Sequence, residues 1–272
     1  MNYDSGKYLH LLAEVMRFGH QSRSKYIGDP KFSNIPMEDL LSKDFAKMKS
    51  KSINLKRASK PDRFNKNAQT LERKYIESKD TTHYSIIDDN GNAVSVTYTL
   101  GYSFGSGVTI EGTGILGNNQ MNNFAYRYGD KKEIGRGASP GNRFEPGKKP
   151  MSTMAPTIIF DKKDDLFLIT GSPGGSDIPA AILRVITGVI DFNLDIGEAT
   201  MLPRIHKDWP YKGLEHERAV SRDIVRRLKS MGHSTEYEMT IGSTQSIMIK
   251  DGINYGYADL RRPGAAVAVQ EK

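Results

Sequence analysis

One stretch of the chain constrains its fold more than any other, because it has the pattern of a β-hairpin. The runs HYSIID and AVSVTYTL, residues 83–88 and 93–100, alternate polar and apolar side chains and are joined by DNGN. Alternation with a period of two is typical of strands, and Asn90–Gly91 is a strong signal for a tight turn. The sequence therefore predicts two antiparallel strands that begin just after Thr81.

Further elements are predicted on both sides of this hairpin. APTIIFD and DLFLITG (155–161 and 165–171) predict a second strand pair, and STQSIMIK with INYGYADL (243–250 and 253–260) predicts a third. A helix is predicted at residues 6–18, where Leu9, Leu12, Val15 and Met16 share a face and Gly19 ends the pattern. Further helices are predicted at 36–50, at 176–192 with Ser176 or Asp177 as cap, and at 221–233 with Gly232 as the end. This order predicts mixed α and antiparallel β structure packed in layers.

The positive charge of the chain is confined to its first part. Residues 1–80 hold 17 Lys and Arg against 10 Asp and Glu, which accounts for the whole net charge of +7. The basic, Ser-rich stretch 47–67 is typical of a solvated linker and not of a nucleic-acid surface, where stacking aromatic residues accompany the basic ones. We therefore expect no nucleic-acid partner, and we expect 51–80 to be an exposed, cleavable loop.

Several functional classes are excluded by composition and spacing. The chain has no cysteine, which excludes disulfides, thiolate catalysis and cysteine zinc sites. No apolar run reaches the roughly 18 residues of a membrane span, and the first residues lack the pattern of a signal peptide, so the compartment is left undetermined. The histidines show no metal-ligand spacing, and Asp88, Asn90 and Asn92 do not complete a calcium loop. We expect no metal, and we interpret His83 as a packed strand residue.

Thr81 is the first candidate for chemistry. A threonine hydroxyl is a poor nucleophile unless a base stands beside it. If the chain is cut before Thr81, the new α-amino group, with an ordinary pKa of about 8, is a base tethered to the nucleophile. The alternative is that DTTHYS is rich in Thr and Tyr simply because these residues suit a strand.

The glycine-rich run GSPGGS, residues 171–176, is the second candidate. It follows an apolar strand and precedes a helix, where backbone N–H groups converge on an anion. The run could bind phosphate, although the Walker pattern is absent, or form an oxyanion hole, or be only a tight turn. The amides of NNQMNN (118–123) and the hydroxyls of MSTM (151–154) suit a zwitterionic amino-acid head, but also ordinary loops.

Together these motifs resemble one family. The runs TTHYSIIDDNGNAVSVTYTL, FGSG, GILGNNQMNNF, MSTMAPTI, TGSPGGS and GSTQSIM occur in the order found in γ-glutamyltransferases, and the resemblance covers essentially the whole chain. It implies an α+β fold of the N-terminal-nucleophile (Ntn) hydrolase type, an αββα sandwich of two sheets between helix layers. It also implies a precursor that cuts itself before a threonine, and no cofactor.

The resemblance carries roles to individual residues. Thr81 matches the nucleophile, Asp80–Thr81 matches the cut bond, and Thr99 matches the threonine whose hydroxyl supports both the nucleophile and the self-cleavage. The other matches are Gln120 for the substrate α-amino group, Ser152 and Thr153 for its α-carboxylate, and Gly174 and Gly175 for the two oxyanion donors.

Two residues depart from the family pattern. Gly101 stands where the family usually has Asn, and Asn123 stands where it usually has Asp. An aspartate would pair with the substrate ammonium group, whereas a neutral amide makes a weaker hydrogen bond. We expect these changes to bear on substrate preference, toward another γ-glutamyl compound or an acyl compound.

The resemblance also divides the chain. Residues 1–80 resemble only the tail of the large chain, helical and then a flexible basic loop, and 81–272 resemble the small chain, the catalytic domain. Most of the large chain, with the arginine that grips the glutamyl carboxylate, has no counterpart here. The sandwich is therefore expected to be incomplete, with exposed strand edges and apolar faces, and to require the large-chain portion as a partner.

The implied activity is transfer or hydrolysis of the γ-glutamyl group of glutathione or a related amide, with water, an amino acid or a peptide as acceptor. The family implies a periplasmic or extracellular location. Two alternatives stay open: an acylase of the same superfamily with an apolar acyl pocket, or a non-catalytic remnant that binds amino acids.

Overall fold

The structure is a computed structural model that describes residues 1–60, 80–125, 139–209 and 213–269. The helices are α1 (Gly6–Tyr26), α2 (Met37–Leu41), α3 (Lys43–Lys51), α4 (Ile178–Phe192), α5 (Ile196–Met201) and α6 (Arg222–Ser230). The strands are β1 (Thr81–Ile87), β2 (Ala93–Thr99), β3 (Thr109–Ile110), β4 (Ile115–Leu116), β5 (Thr157–Phe160), β6 (Leu166–Gly171), β7 (Ile205–His206), β8 (Gly213–His216), β9 (Ser234–Tyr237), β10 (Gln245–Lys250) and β11 (Ile253–Ala258).

The chain divides into two compact units, each built from three separate stretches. The first unit takes Met1–Ile76, Asn119–Ser152 and Ile205–Glu238, and the second takes Glu77–Asn118, Thr153–Arg204 and Met239–Lys272. The predicted division into 1–80 and 81–272 is of a different kind, because it refers to the bond at which the chain is expected to be cut. It stays a prediction. None of the helices in the described ranges is long and apolar enough to cross a membrane.

The second unit has three layers. An antiparallel sheet in the order β11-β10-β6-β5 forms the middle layer. Helices α4 and α5 pack on this sheet, around a core that includes Leu168, Val185 and Met248. The β1–β2 hairpin packs against β5, β6 and β10. Because residues alternate between sheet faces, Leu168 on the helix side and Gly171 on the hairpin side belong to opposite faces of β6. The layers confirm the predicted α+β sandwich class.

The hairpin turns its polar face inward and its apolar face to solvent. Thr81 and His83 are buried, whereas the alternate positions of both strands carry large exposed side chains. These are Tyr84, Ile86, Val94 and Tyr98, between 42% and 56% exposed. A strand pair normally buries its apolar face. The exposed face therefore agrees with an incomplete sandwich.

The first unit packs helices against a small sheet. Strands β7, β8 and β9 lie side by side, and α1 and α6 contact each other and this sheet. Strand β8 pairs with β9 in parallel, with α6 as the connection between them. This parallel pair lies outside the three predicted strand pairs, which are all antiparallel. The three short strands lie in stretches without clear alternation, which is why the sequence did not indicate them.

Two helix predictions need correction. Helix α1 does not end at Gly19 but continues to Tyr26, with His20 and Ser24 buried. One interior glycine costs a helix only about 1 kcal/mol, which packing of the extra turns offsets. The predicted helix 36–50 is split at Ser42, whose side chain accepts a hydrogen bond from Phe45 N and caps α3. Asp177 precedes α4 as predicted, but its side chain makes no capping bond.

Candidate functional site

Thr81 begins β1 and lies opposite Thr99, which ends β2, in the hairpin register. Thr81 is only 7% exposed. The Thr99 hydroxyl accepts a hydrogen bond from the Gly101 N–H at 3.0 Å, and the Ser103 hydroxyl donates to the Asp80 carboxylate. The hairpin thus brings the predicted nucleophile and its supporting threonine to the same end of one strand pair.

Gly101, one of the departures from the family pattern, has a local conformational reason. Its φ is 95°, a backbone conformation that is strained for any residue with a side chain. Glycine adopts this conformation without strain, and its N–H reaches the Thr99 hydroxyl. The departure therefore fits the turn that follows β2.

A polar network surrounds the buried His83 side chain, on the same face of β1 as Thr81. The His83 ring lies 2.7 Å from the Thr97 hydroxyl through Nδ1 and 3.1 Å from the Ser85 hydroxyl through Nε2. Ser85 in turn donates to the Gln245 carbonyl at 3.0 Å. Burial lowers the pKa of His83 to about 4. The imidazole is therefore neutral at neutral pH, in agreement with its interpretation as a packed strand residue.

Gly171 makes room for this histidine. A Cβ atom at Gly171 would lie 2.2–2.7 Å from atoms of the His83 ring, closer than any real contact. The ring is therefore seated directly on the backbone where the glycine run begins. The sequence places Gly171 in that run, but no pattern in it indicates this contact with His83.

The run 171–176 forms a buried turn between β6 and α4. Gly174 and Gly175 have φ values of 136° and 58°, and a short 3₁₀ turn at Gly175–Asp177 leads into the helix. The first N–H groups of a helical segment have no partner within it, so they are suited to an anion. The turn contains no Lys, which favours an oxyanion hole over a phosphate site.

In the first unit, a different group of predicted residues is brought together. Gln120 and Asn123 belong to one 3₁₀ turn, and the Asn123 Nδ2 group donates to Gln120 Oε1 at 2.6 Å. Asn142, which is fully buried, donates to the Asn123 carbonyl and accepts from Met151 N at 2.9 Å. It therefore links the turn to the segment that ends at Ser152. Nothing in the sequence distinguished Asn142 from other loop asparagines.

Ser152 and Thr153 are adjacent in the chain but fall in different units, at the boundary between Ser152 and Thr153. Ser152 is exposed and Thr153 is half-buried. Within the second unit the structure thus joins Thr81 with Thr99 and contains Thr153 and the glycine turn. Within the first unit it joins Gln120 with Asn123 and ties their turn to the segment before Ser152.

One group of possible metal ligands, which no residue spacing in the sequence indicates, lies in the first unit. His10, Glu14 and His233 are buried and offer ligand atoms within 4.8 Å of one another. His10 Nε2 is 2.8 Å from the Asn54 carbonyl, and His10 Nδ1 is 2.7 Å from His233 Nε2. Because a carbonyl only accepts, His10 donates through Nε2 and accepts from His233 through Nδ1.

The ligand atoms of these three residues are already engaged in hydrogen bonds to protein groups. Two nitrogens around a tetrahedral zinc ion lie about 3.3 Å apart, farther than the two histidine nitrogens are here. Glu14 accepts from both the N–H and the hydroxyl of Ser59. Burial, with smaller contributions from the neighbouring His10 and Lys207 side chains, lowers the pKa of His233 to about 4. We therefore assign these residues to a hydrogen-bonded network and not to a metal centre.

Comparison with known sequences agrees with the family that the motifs indicate. The sequence profile of the Gamma-glutamyltranspeptidase family matches residues 1–269. A glutathione hydrolase proenzyme of Escherichia coli (strain K12) is 38% identical over 96% of this chain, and the matched part is 45% of that protein. An acylase ACY 1 proenzyme of Pseudomonas sp. (strain SE83) is 30% identical over 99% of this chain and 45% of its own length. The chain thus spans slightly less than half the length of these relatives.

Solved structures show the same likeness. The gamma-glutamyltranspeptidase of Pseudomonas nitroreducens complexed with L-DON matches with a TM-score of 0.63 and 34% identity, over 70% of this chain and 100% of that one. The cephalosporin acylase of Bacillus halodurans matches with a TM-score of 0.80 over 100% of this chain and 46% of that one. At 24% identity, the second likeness concerns the fold alone.

Proposed function

This chain belongs to the gamma-glutamyltranspeptidase family, and from that premise we propose that it is the C-terminal part of an enzyme that transfers or hydrolyses γ-glutamyl groups. Thr81 is the nucleophile of this proposal. The observation that carries it is the position of Thr81, which is buried at the start of β1 and opposite Thr99, in the unit that also holds the glycine turn.

The proposal begins with cleavage of the Asp80–Thr81 bond. In the Pseudomonas nitroreducens structure, one complete chain corresponds to 70% of this chain, about the share that residues 81–272 make up. Relatives of this chain are also named proenzymes. Both observations support a chain that is cut before Thr81, so that its α-amino group becomes free.

The free amine then serves as the base for Thr81. It takes the hydroxyl proton while Oγ attacks the γ-carbonyl carbon of glutathione or a related amide. The N–H groups of Gly174 and Gly175 stabilise the negative oxygen of the tetrahedral intermediate. The proton passes to the leaving amine, the C–N bond breaks, and a γ-glutamyl ester remains on Thr81. Water, an amino acid or a peptide then attacks this ester and releases Thr81.

The remaining residues hold the substrate in the proposal. Gln120 and Asn123 bind the α-amino group of the γ-glutamyl substrate, and Ser152 and Thr153 bind its α-carboxylate. The hydrogen bond between Gln120 and Asn123 and the link through Asn142 support a preformed amide site. We expect a large-chain portion, corresponding to the part of the relatives that this chain does not match, to complete the enzyme.

A second candidate is an acylase that uses the same Thr81. The observation in its favour is Asn123, a neutral residue where an aspartate would pair with an ammonium group. The likeness to the acylase ACY 1 proenzyme is compatible with this candidate. An acylase would accept an acyl amide without a charged amino-acid head.

Intact-mass measurement and paired substrates test the proposal. The purified chain is incubated at neutral pH, alone and with a large-chain portion from a relative added in trans. We expect two species split at Asp80–Thr81, followed by release of aniline from a γ-glutamyl anilide. Faster release from an acyl anilide would instead support the acylase. An uncut chain that is silent on both substrates in both settings would overturn the enzyme proposal in favour of a remnant.

A further inference from the structure

A buried cluster of charged side chains lies in the second unit, outside the residues used above. Arg204 and Asp259 form an ion pair of 2.7 Å, and both side chains are fully buried. Arg261 approaches the other carboxylate oxygen of Asp259 at 3.2 Å. Burial raises the pKa of Asp259, but the two arginines and two backbone N–H groups outweigh it, so the net pKa is lowered. The cluster is therefore charged.

Such a cluster is poorly explained as a device for stability. Removing two charges from water costs several kcal/mol per ion, and apolar residues of similar size often serve stability equally well. What a buried ion pair with several hydrogen bonds does supply is fixed geometry for the groups that it binds.

The cluster holds the segment 241–244. Arg204 Nη1 donates to the Ile241 carbonyl at 3.0 Å, and Nη2 lies 3.1 Å from the Thr244 hydroxyl. The Asp259 carboxylate accepts from Thr244 N at 2.9 Å, and Asp259 N donates back to the Thr244 carbonyl at 3.1 Å. Both ends of the segment are thus fixed to the same ion pair.

This segment in turn backs the glycine turn. A Cβ atom at Gly174 would lie 3.1 Å from Gly242 Cα, so the two backbones are in close contact. Ser243 N donates to Ser172 Oγ at 2.8 Å, and the Ser172 hydroxyl donates to the Pro173 carbonyl at 2.6 Å. The path from the ion pair to Gly174 is therefore continuous, through contacts and hydrogen bonds.

We propose that Arg204 and Asp259 are positioning residues that fix the backbone of Gly174 and Gly175 through the segment 241–244. Neither side chain touches the substrate in this proposal. The inference rests on the proposed function in naming these N–H groups as the oxyanion donors. The physical link between the ion pair and the turn holds whatever the reaction is, so it can be tested separately.

Hydrogen–deuterium exchange tests that link in the full chain without any activity. The variant is Asp259→Asn, which keeps the shape of the side chain and removes its charge. The matched control is Asp161→Ala, which removes the acceptor of two backbone hydrogen bonds in the β5–β6 turn of the same unit, a turn that shares no residue with the cluster. We expect faster exchange in peptides covering 171–176 and 241–245 for Asp259→Asn. For the control we expect no change in 171–176 at an equal loss of thermal stability.

Ser172→Ala provides a second test if Asp259→Asn does not melt cooperatively. It removes the hydrogen bond that Ser172 accepts from Ser243 N, together with the one that Ser172 donates to the Pro173 carbonyl. Since the second bond lies inside the glycine turn, the deciding readout for this variant is faster exchange in 241–245. Unchanged exchange in 171–176 for a folded Asp259→Asn variant, or in 241–245 for Ser172→Ala, would overturn the positioning role.

Kinetics connect the link to the reaction. A misplaced oxyanion donor weakens interactions that form only in the transition state, so for Asp259→Asn we expect kcat to fall about 10- to 100-fold with KM changed less than threefold. A loss confined to KM would overturn the role in catalysis. A wild-type chain that neither cleaves nor turns over would instead count against the proposed function, while the exchange experiment still decides whether the ion pair holds the turn.

Discussion

Thr81 and Thr99 face each other as the terminal pair of the β1–β2 hairpin, with Thr81 on the buried face of its strand. Register in a hairpin is set from the turn outward, and a shift by one residue would move Thr81 to the opposite face. The turn at Asn90–Gly91 therefore determines where the candidate nucleophile points.

Replacing Thr81 by Ala is expected to abolish both self-cleavage and activity, because no hydroxyl is left to attack either carbonyl. Intact mass after incubation at neutral pH measures the cleavage. The control is Thr82→Ala, since Thr82 is exposed on the other face of β1 and should leave cleavage unchanged. Continued cutting at Asp80–Thr81 in the Thr81→Ala variant would mean that an outside protease makes the cut.

Replacing Asn123 by Asp is expected to lower KM for a γ-glutamyl anilide about fivefold, because a charged acceptor gains roughly 1 kcal/mol over a neutral one toward an ammonium group. The structure shows that this substitution also requires a change at Gln120. Asn123 now donates to Gln120 Oε1, and an aspartate can only accept, so the Gln120 amide has to turn its NH₂ toward it. Asn122→Asp, at an exposed neighbouring position, is the control. Equal KM values for the two variants would place Asn123 outside the ammonium pocket.

Two glycine-to-alanine substitutions should have opposite effects on the free energy of unfolding. Gly171→Ala forces a Cβ into the His83 ring, which should destabilise the protein by about 1–3 kcal/mol. Gly19→Ala lies inside α1 with no atom within 4 Å of the new Cβ, and should stabilise it by about 0.5–1 kcal/mol. Denaturant unfolding measures both. If His83→Ser fails to relieve the Gly171→Ala defect, the clash is not with the ring.

The buried imidazole of His83 predicts a pH dependence of stability. Its pKa is lowered from 6.5 to about 4 in the folded protein. Above pH 6.5 the ring is neutral in both states, and between about 6.5 and 4 only the unfolded chain binds the proton. The free energy of unfolding should therefore fall as the pH is lowered through this window, by at most about 1.4 kcal/mol per pH unit for this one proton.

The variant His83→Gln isolates that contribution. It should show a shallower decline than the wild type between pH 6.5 and 4, measured by denaturant unfolding at several pH values. The slope that remains belongs to other groups, among them His233, whose pKa is lowered in the same way. Identical slopes for the two proteins would mean that His83 is not a desolvated neutral group.

Local sequence patterns were sufficient to predict several strands and turns of this chain. Alternation and the Asn90–Gly91 turn predicted β1 and β2, and the glycine run after an apolar strand predicted the turn before α4. These features depend on neighbours in the chain, because turn conformation and strand periodicity are set by residues a few positions apart. The order of the motifs was enough to predict the family and the candidate residues.

Tertiary structure alone decided how distant residues meet. Asn142 joins the turn at Gln120–Asn123 to the segment before Ser152, and Asp259 joins Arg204 to the segment that backs the glycine turn. A single asparagine or a single buried charge has no periodicity that marks it in a sequence. Its partner is chosen by the packing of elements far apart in the chain, and by the need of every buried polar group for a hydrogen bond. For that physical reason the sequence predicted the strands and turns of the candidate site, whereas only the fold revealed what holds them in place.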